Sequence, residues 1–527
     1  MSVLASRKVF LPVSVALLVL ISFLVARPAV PTLGSSILEI HDASLTSYQV
    51  AASTSQDVLP THLVRGVGVD GSPRAGSTHP MHLNGNPNGS PWSTNQSLGG
   101  VSLATGGFNP FEVDLALPAD GPSWVIGRSY NQRQDDGSQQ SDGYQGQNWF
   151  QTSQPEILIH WEVSEGTKDA DDLLYLIYGA DRFIEFQRYN SSSDDFIATN
   201  GAAGAVEYAA NGSGEPETFT YVDQQGWAST FFGFDADAAG AEGQLWKVAD
   251  PEGNEAYAGD ASLASDPVTL GYTSGRLIVA YDSEDRRYTY SYTTLDSVDR
   301  LTEVKAETKT GGTSASPTGL ATVGNVEYDY YGDETYGDPG DLKTVTITTP
   351  LSESSNEHVK TKYYRYWEGT FNASTNPGHP HSLKLALDYE GVRRFDWATD
   401  NDFDGDYEAA SHESLEDFAA TYLEYDANRR VVEAWFNGSC GCGGAGNGTH
   451  EFEYESNGSY SDGSGYDTAW ATRTVAKRPD GSYVTQYFDE VGQSPWQRVA
   501  GHEPDCAAHL QRRGPGGRYP DHGQVVR

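Results

Sequence analysis

A short phrase set among Tyr-Asp pairs recurs along this chain and restricts the folds open to it. It reads Gly275-Arg276-Leu277-Ile278-Val279-Ala280-Tyr281-Asp282, and returns as Asp299-Arg300-Leu301-Thr302-Glu303-Val304 and Gly340-Asp341-Leu342-Lys343-Thr344-Val345. A later copy is Tyr425-Asp426-Ala427-Asn428-Arg429-Arg430-Val431-Val432. A self-similar unit of roughly 20 to 40 residues is a supersecondary element that buries its apolar face only by stacking on its neighbours. Alternation marks the unit as a hairpin. Leu342, Thr344, Thr346 and Thr348 fall on one face of a period-two strand, with Lys343, Val345 and Ile347 on the other. Likewise Tyr288, Tyr290 and Tyr292 form a row, which suits a half-wet sheet whose hydroxyls stay near water or a partner. The interval from Arg276 to Arg300 is much shorter than that from Arg300 to Asp341, so the units are irregular and carry insertions.

Strand patterns separated by Asp-Gly, Asn-Gly and Gly-Ser turns continue from Phe111 onward, as at Leu173 to Tyr178, Thr218 to Val222, Lys360 to Trp367 and Glu451 to Tyr454. The one helical pattern is Ser414 to Tyr425. There Ser414 and Asp417 match a capping box, and Leu415, Phe418, Ala419 and Tyr422 recur at helical spacing. The expected fold is therefore mainly β, an antiparallel stack of hairpins in a curved sheet or partial shell.

These phrases resemble the YD repeats of the Rhs family. The likeness rests on the Tyr281-Asp282 to Tyr292 segment, Tyr328-Asp329-Tyr330 leading to Leu342, Leu387-Asp388-Tyr389-Glu390-Gly391, and Tyr425-Asp426 to Trp435, with a weaker match at Tyr487-Phe488-Asp489. Upstream, Asp114-Leu115-Ala116-Leu117-Pro118, Arg128-Ser129-Tyr130-Asn131 and Gln147-Asn148-Trp149 look like the segment that opens such a repeat region. The resemblance implies a shell that, in long members, encloses a C-terminal toxic domain and serves contact-dependent competition or adhesion. This chain departs from that plan: no aspartyl self-cleavage segment closes the repeats, and no recognisable toxin follows residue 500.

Five regions follow from composition and pattern. Residues 1–26 carry Arg7 and Lys8 ahead of an apolar run, the order of a secretory signal or an uncleaved N-terminal anchor. Residues 27–107 are a low-order arm rich in Gly, Ser, Asn and Pro, 108–270 a β-rich pre-repeat region, and 271–500 the repeat region. Residues 501–527, with three acids and four arginines, form a basic tail against a chain whose net charge is −39. That acidity argues against nucleic acid as a partner, because phosphate binding needs a clustered positive field. It fits an exported protein, secreted or on the cell envelope, whose partner is a cell-surface glycan or protein and whose contact with a membrane runs only through an uncleaved N-terminal segment.

The sharpest local motif is acidic. Asp400, Asp402, Asp404 and Asp406 alternate, with Gly405 at the sixth position, as in a loop that wraps Ca2+. Position twelve is Ser411 rather than glutamate, so the competing reading is a solvated acidic turn. Gly441-Cys442-Gly443-Gly444-Ala445-Gly446 fits a nucleotide loop only formally, since a strand pattern rather than a helix follows it. Cys440, Cys442 and Cys506 leave their pairing open. Exposed aromatics offer stacking platforms for sugars at Tyr363, Tyr364, Tyr366 and Trp367 or at Trp435 and Phe436, although most such rings pack between hairpins. No nucleophile elbow, zinc-binding histidine pair or phosphate loop is present. The expectation is a non-enzymatic interaction scaffold, possessing no assigned catalytic residue, or a fragment of a toxin-delivery protein. The rival is an exported carbohydrate-active enzyme using acidic residues.

Overall fold

The structure is a computed structural model. It describes residues 97–131, 142–152, 155–160, 172–179, 182–189, 195–198, 205–210, 217–223, 225–234, 241–259, 271–295, 297–312, 317–350, 357–399, 407–436, 448–458, 470–488, 496–500 and 509–512. The leader at 1–26, the acidic loop at 400–406 and the three cysteines lie outside these residues, as does the tail beyond Arg512.

Local hairpins build the molecule. From Glu156–His160 to His509–Arg512, each strand of the main sheet pairs antiparallel with the next one in the ladder, and the chain order is kept throughout. No ladder joins the first of these strands to the last, so among the described residues the sheet is open and the fold is mainly β.

The Tyr-Asp phrase has a physical basis in the turns. At Asp282 and Asp426 the chain reverses through the same three-residue loop: the Asp backbone N–H donates to the carbonyl four residues on, and its carbonyl accepts from the N–H three residues on. The carboxylates repeat the pattern. Asp282 Oδ1 accepts from the N–H groups of Glu284 and Arg286, and Oδ2 from Arg286 Nε at 2.7 Å. Asp426 does the same with Asn428, Arg430 and Arg430 Nε. Asp223 and Asp250 head turns with the same backbone bonds, and Arg478 heads one without the carboxylate. The third residue of each loop is left-handed: Gly226, Gly253 and Gly481, but also Asp285 at φ 59° and Arg429 at φ 60°. This is a type I turn closed by a bulge, whose twist suits antiparallel strands. The aspartate satisfies loop amides that the ladder leaves without partners.

Bulges shift the strand faces. Between Ser291/Tyr292 and Glu303/Leu301 the ladder skips Thr302, which brings Leu301 and Val304 to the same buried side. The skip at Lys343 does the same for Leu342 and Val345, so the simple alternation expected there is broken.

One face of the sheet is covered by the chain's own residues 97–131 and 142–152. Within them Phe111–Leu115, Ile126–Tyr130 and Trp149–Gln151 form a three-stranded sheet, and Ile126–Tyr130 is buried along its whole length. The end of the Gly/Ser/Asn-rich arm belongs to the same cover: Val101, Leu103 and Ala104 are core residues, and Thr474 Oγ1 donates to the Leu103 carbonyl at 2.6 Å. The Tyr row is accordingly not half-wet. Tyr288 and Tyr290 are buried, and all three hydroxyls of the row are bonded within the protein, to Asp282, Trp124 and the Leu277 carbonyl.

Helix positions differ from expectation. Helix α1, Tyr389–Thr399, starts in one of the repeat-like phrases, where Asp388 caps it by accepting from the Gly391 N–H at 2.7 Å. Helix α2, His412–Glu416, is capped by Ser411 and is short, while Thr421–Tyr425 is a strand. The helical spacing of Leu415, Phe418 and Tyr422 reflects burial from successive local structures rather than one helix.

Candidate functional site

Two regions concentrate polar chemistry. The first is the seam between cover and sheet. Arg128 donates through Nε to Asp114 Oδ2 at 2.9 Å and through Nη2 to Asp114 Oδ1 and the Tyr364 hydroxyl, and its guanidinium lies over the Trp149 ring at 4.6 Å. Both charged groups are fully buried. Tyr328 donates to the same carboxylate, and Lys362 pairs with Glu112 at the edge of the network. Burial pulls the Arg128 pKa down, but Asp114, Tyr364 and Glu112 together outweigh it and leave the group well above its ordinary value. Trp149 Nε1 donates to the Tyr366 hydroxyl at 2.9 Å. Tyr363, Tyr364, Tyr366 and Trp367 are all buried, so this row is core and not a platform for sugars.

The second region is built by the Tyr425-Asp426 hairpin and α2, and it is half-buried rather than sealed. Residues Thr421–Tyr425 and Val431–Phe436 pair so that Tyr422 stands opposite Trp435 and Glu424 opposite Glu433. Tyr422 and Trp435 stack with centroids 4.6 Å apart. Tyr422 donates its hydroxyl to Glu424 Oε1 at 2.9 Å, and Trp435 Nε1 donates to Glu433 Oε1 at 3.0 Å. Phe436 is buried instead, because its neighbouring position points to the covered face, where it meets Phe108.

Electrostatics follow from partial burial of several charges. Burial raises the Glu424 pKa, the Tyr422 hydrogen bond opposes this, and the facing Glu433 adds to it. Glu416 on α2 is raised by burial and by Glu413. Lys384 is lowered by burial despite these acids, and sits 4.0 Å from the Trp367 ring. His412 is pushed down to about 4 by burial, then by Lys384 and Arg365, and neither ring nitrogen has a hydrogen-bond partner. A ring stack edged by carboxylates can bind a polyhydroxylated ring: the aromatic faces meet C–H groups and the carboxylates accept hydroxyls. Two opposed glutamates, one held toward its neutral form, are also the elements of acid–base chemistry. Sequence reasoning singled out Trp435 but missed Glu424 and Glu433, which stand nine positions apart and meet only through the hairpin register.

The structure also groups Asp338, Asp341 and His381, which the sequence did not mark as a set. The four aspartates at 400, 402, 404 and 406 lie outside the described residues. Their flanks are fixed: Arg365 Nη2 donates to the carbonyls of Tyr407 and Ala410, and Lys343 pairs with Glu408.

No family model matches the sequence, and no curated protein matches it. Among solved structures, the chain is similar to the N-terminal domain of effector protein SpvB from Salmonella typhimurium strain LT2, with 12% identity, a TM-score of 0.23, and coverage of 53% of this chain and 99% of that one. A porin-like protein from Bacteroides uniformis ATCC 8492 has 9% identity, a TM-score of 0.16, and coverage of 77% and 93%. A TcdB2-TccC3-TEV structure has 11% identity and a TM-score of 0.13, with 78% of this chain matched to 25% of that one.

Proposed function

We propose that this chain is an exported, non-enzymatic interaction scaffold of the YD-repeat type, akin to parts of toxin-delivery proteins, which takes a glycan at the Trp435 patch. The supporting observation is the division of its aromatic surface. One face of the sheet is spent on the chain's own cover, whereas Trp435, stacked on the buried Tyr422, stays half-buried beside Glu424, Glu433, Glu416 and Lys384. The repeated Asp-headed turn supports the YD-type reading from within the chain, because it gives two copies of the Tyr-Asp phrase, at Asp282 and Asp426, the same structural role. Among the described residues no helix is long and apolar enough to cross a membrane.

Opposed Glu424 and Glu433 favour a second reading, a glycoside hydrolase with Glu424 as the acid. A panel of glycans tested for both binding and hydrolysis with the full chain separates the two. Binding that Trp435→Ala weakens at least tenfold, with no turnover, is expected. Turnover of any glycan that Glu424→Gln abolishes would establish the rival. Export is checked by fractionation, with loss of residues 1–26 trapping the protein inside the cell.

A further inference from the structure

We propose that Asp338, Asp341 and His381 form a binding site for a divalent transition-metal ion, zinc being the best fit, which pins the covering segment to the sheet. Each of the three offers a ligand atom within 4.8 Å of the others, and His381 Nδ1 lies 3.0 Å from Asp341 Oδ1. Two ligands on one tetrahedral ion with bonds of about 2.0–2.1 Å stand roughly 3.3 Å apart, so little movement converts this contact into shared coordination. An imidazole with two carboxylates suits zinc or manganese and disfavours calcium, which takes oxygen ligands.

Charge balance points the same way. The Asp341 side chain is fully buried and accepts from the Asp338 N–H at 2.9 Å, which sets a second carboxylate beside the first. Two carboxylates face one imidazole, so even a protonated His381 leaves the set negative around the buried Asp341. Arg300, whose guanidinium packs against Gly340, adds positive potential to the loop but has no atom that ligates a metal.

Buried polar groups beside the triad lack protein partners. Ser382 follows His381 in the chain, and Gln145 precedes Gly146, where an added Cβ would lie 3.0 Å from the Gly340 carbonyl oxygen and 3.1 Å from the Leu342 nitrogen. Both residues are fully buried. Unsatisfied groups of this kind are rare in protein interiors unless water or an ion meets them.

The position gives the ion a task. The His381 carbonyl accepts from the Tyr130 hydroxyl at 3.0 Å and from Asn148 Nδ2 at 3.1 Å, both in the cover, and Tyr130 accepts in turn from the Leu383 N–H. An ion joining the His381 ring to the Asp338–Asp341 loop therefore locks the residue on which the cover is hung.

The test uses the full chain, stripped with a chelator and loaded with Zn2+ or Co2+. Zinc should raise the melting temperature by several degrees, and Co2+ should give visible absorption bands of a tetrahedral or five-coordinate site. Both effects should be lost in Asp338→Asn and His381→Ala. Asp338 is partly exposed, so its variant should melt without metal near the parent temperature. Zinc stabilisation and Co2+ bands that persist in both variants would place the metal elsewhere and overturn the proposal, as would no response to either metal in the parent chain. Because the readout does not involve glycan, it stands or falls apart from the function of the Trp435 patch.

Discussion

The same aspartate turn occurs in two environments, which lets its energetics be separated from its geometry. The Asp282 carboxylate is fully buried and also accepts from the Tyr288 hydroxyl, whereas the Asp426 carboxylate is partly exposed and bonds within its own loop. Asp426→Ala loses two amide bonds and an exposed ion pair and should cost about 1–2 kcal/mol. Asp282→Ala also strands a buried tyrosine hydroxyl and should cost about 3 kcal/mol or more; equal losses in urea unfolding would show that the Tyr288 bond contributes nothing. The buried Asp114–Arg128 pair makes a sharper case. Arg128→Met alone leaves an unpaired buried carboxylate and should cost about 3–5 kcal/mol, while the double variant with Asp114→Leu should recover much of it. Additive losses would contradict the pairing. At this scale the sequence was informative, because Tyr-Asp recurs as a local phrase and its turn is closed by nearby residues. The partners of Arg128 were not legible, since Tyr364 lies 236 positions away.

Elements were read less well, for identifiable reasons. Leu387-Asp388-Tyr389-Glu390-Gly391 has the wording of a repeat, yet Asp388 caps a helix. An aspartate that satisfies free amides serves a turn or a helix start equally well, so the local phrase does not decide. Asp388→Ala should cost about 1 kcal/mol and lower the helical signal without disturbing the sheet. Skipped residues at Thr302 and Lys343 also escape a period-two template, because one extra residue reverses the faces beyond it. Helix α2 carries the pH prediction. His412 is neutral in the folded chain because its pKa is depressed, so between its ordinary value of 6.5 and about 4 the unfolded chain binds the additional proton. Its contribution is therefore present above pH 6.5 and lost as pH falls through that window. His412→Phe should flatten the stability profile there; a profile identical to that of the parent would remove His412 from the account.

At the scale of the whole molecule, the sheet is a product of short-range rules and its cover is not. Strand follows strand in chain order, which is why hairpin signals alone predict a mainly β, antiparallel stack. The covering segment bonds residues more than 160 positions away, as between Trp124 and Tyr290, and its Gly, Ser and Asn content reads as an arm when scanned alone. Small residues there let the backbone approach the sheet closely: a Cβ at Gly106 would clash with Arg430 and Tyr454.

Amide hydrogen exchange of the full chain, followed by mass spectrometry, tests this arrangement most directly. Amides of Ile126–Tyr130 should be protected as strongly as those of Arg287–Leu295, since cover and sheet share one core and open together. Exchange of the covering strand orders of magnitude faster than that of the sheet would show that residues 97–131 and 142–152 do not complete the fold, and would contradict the account.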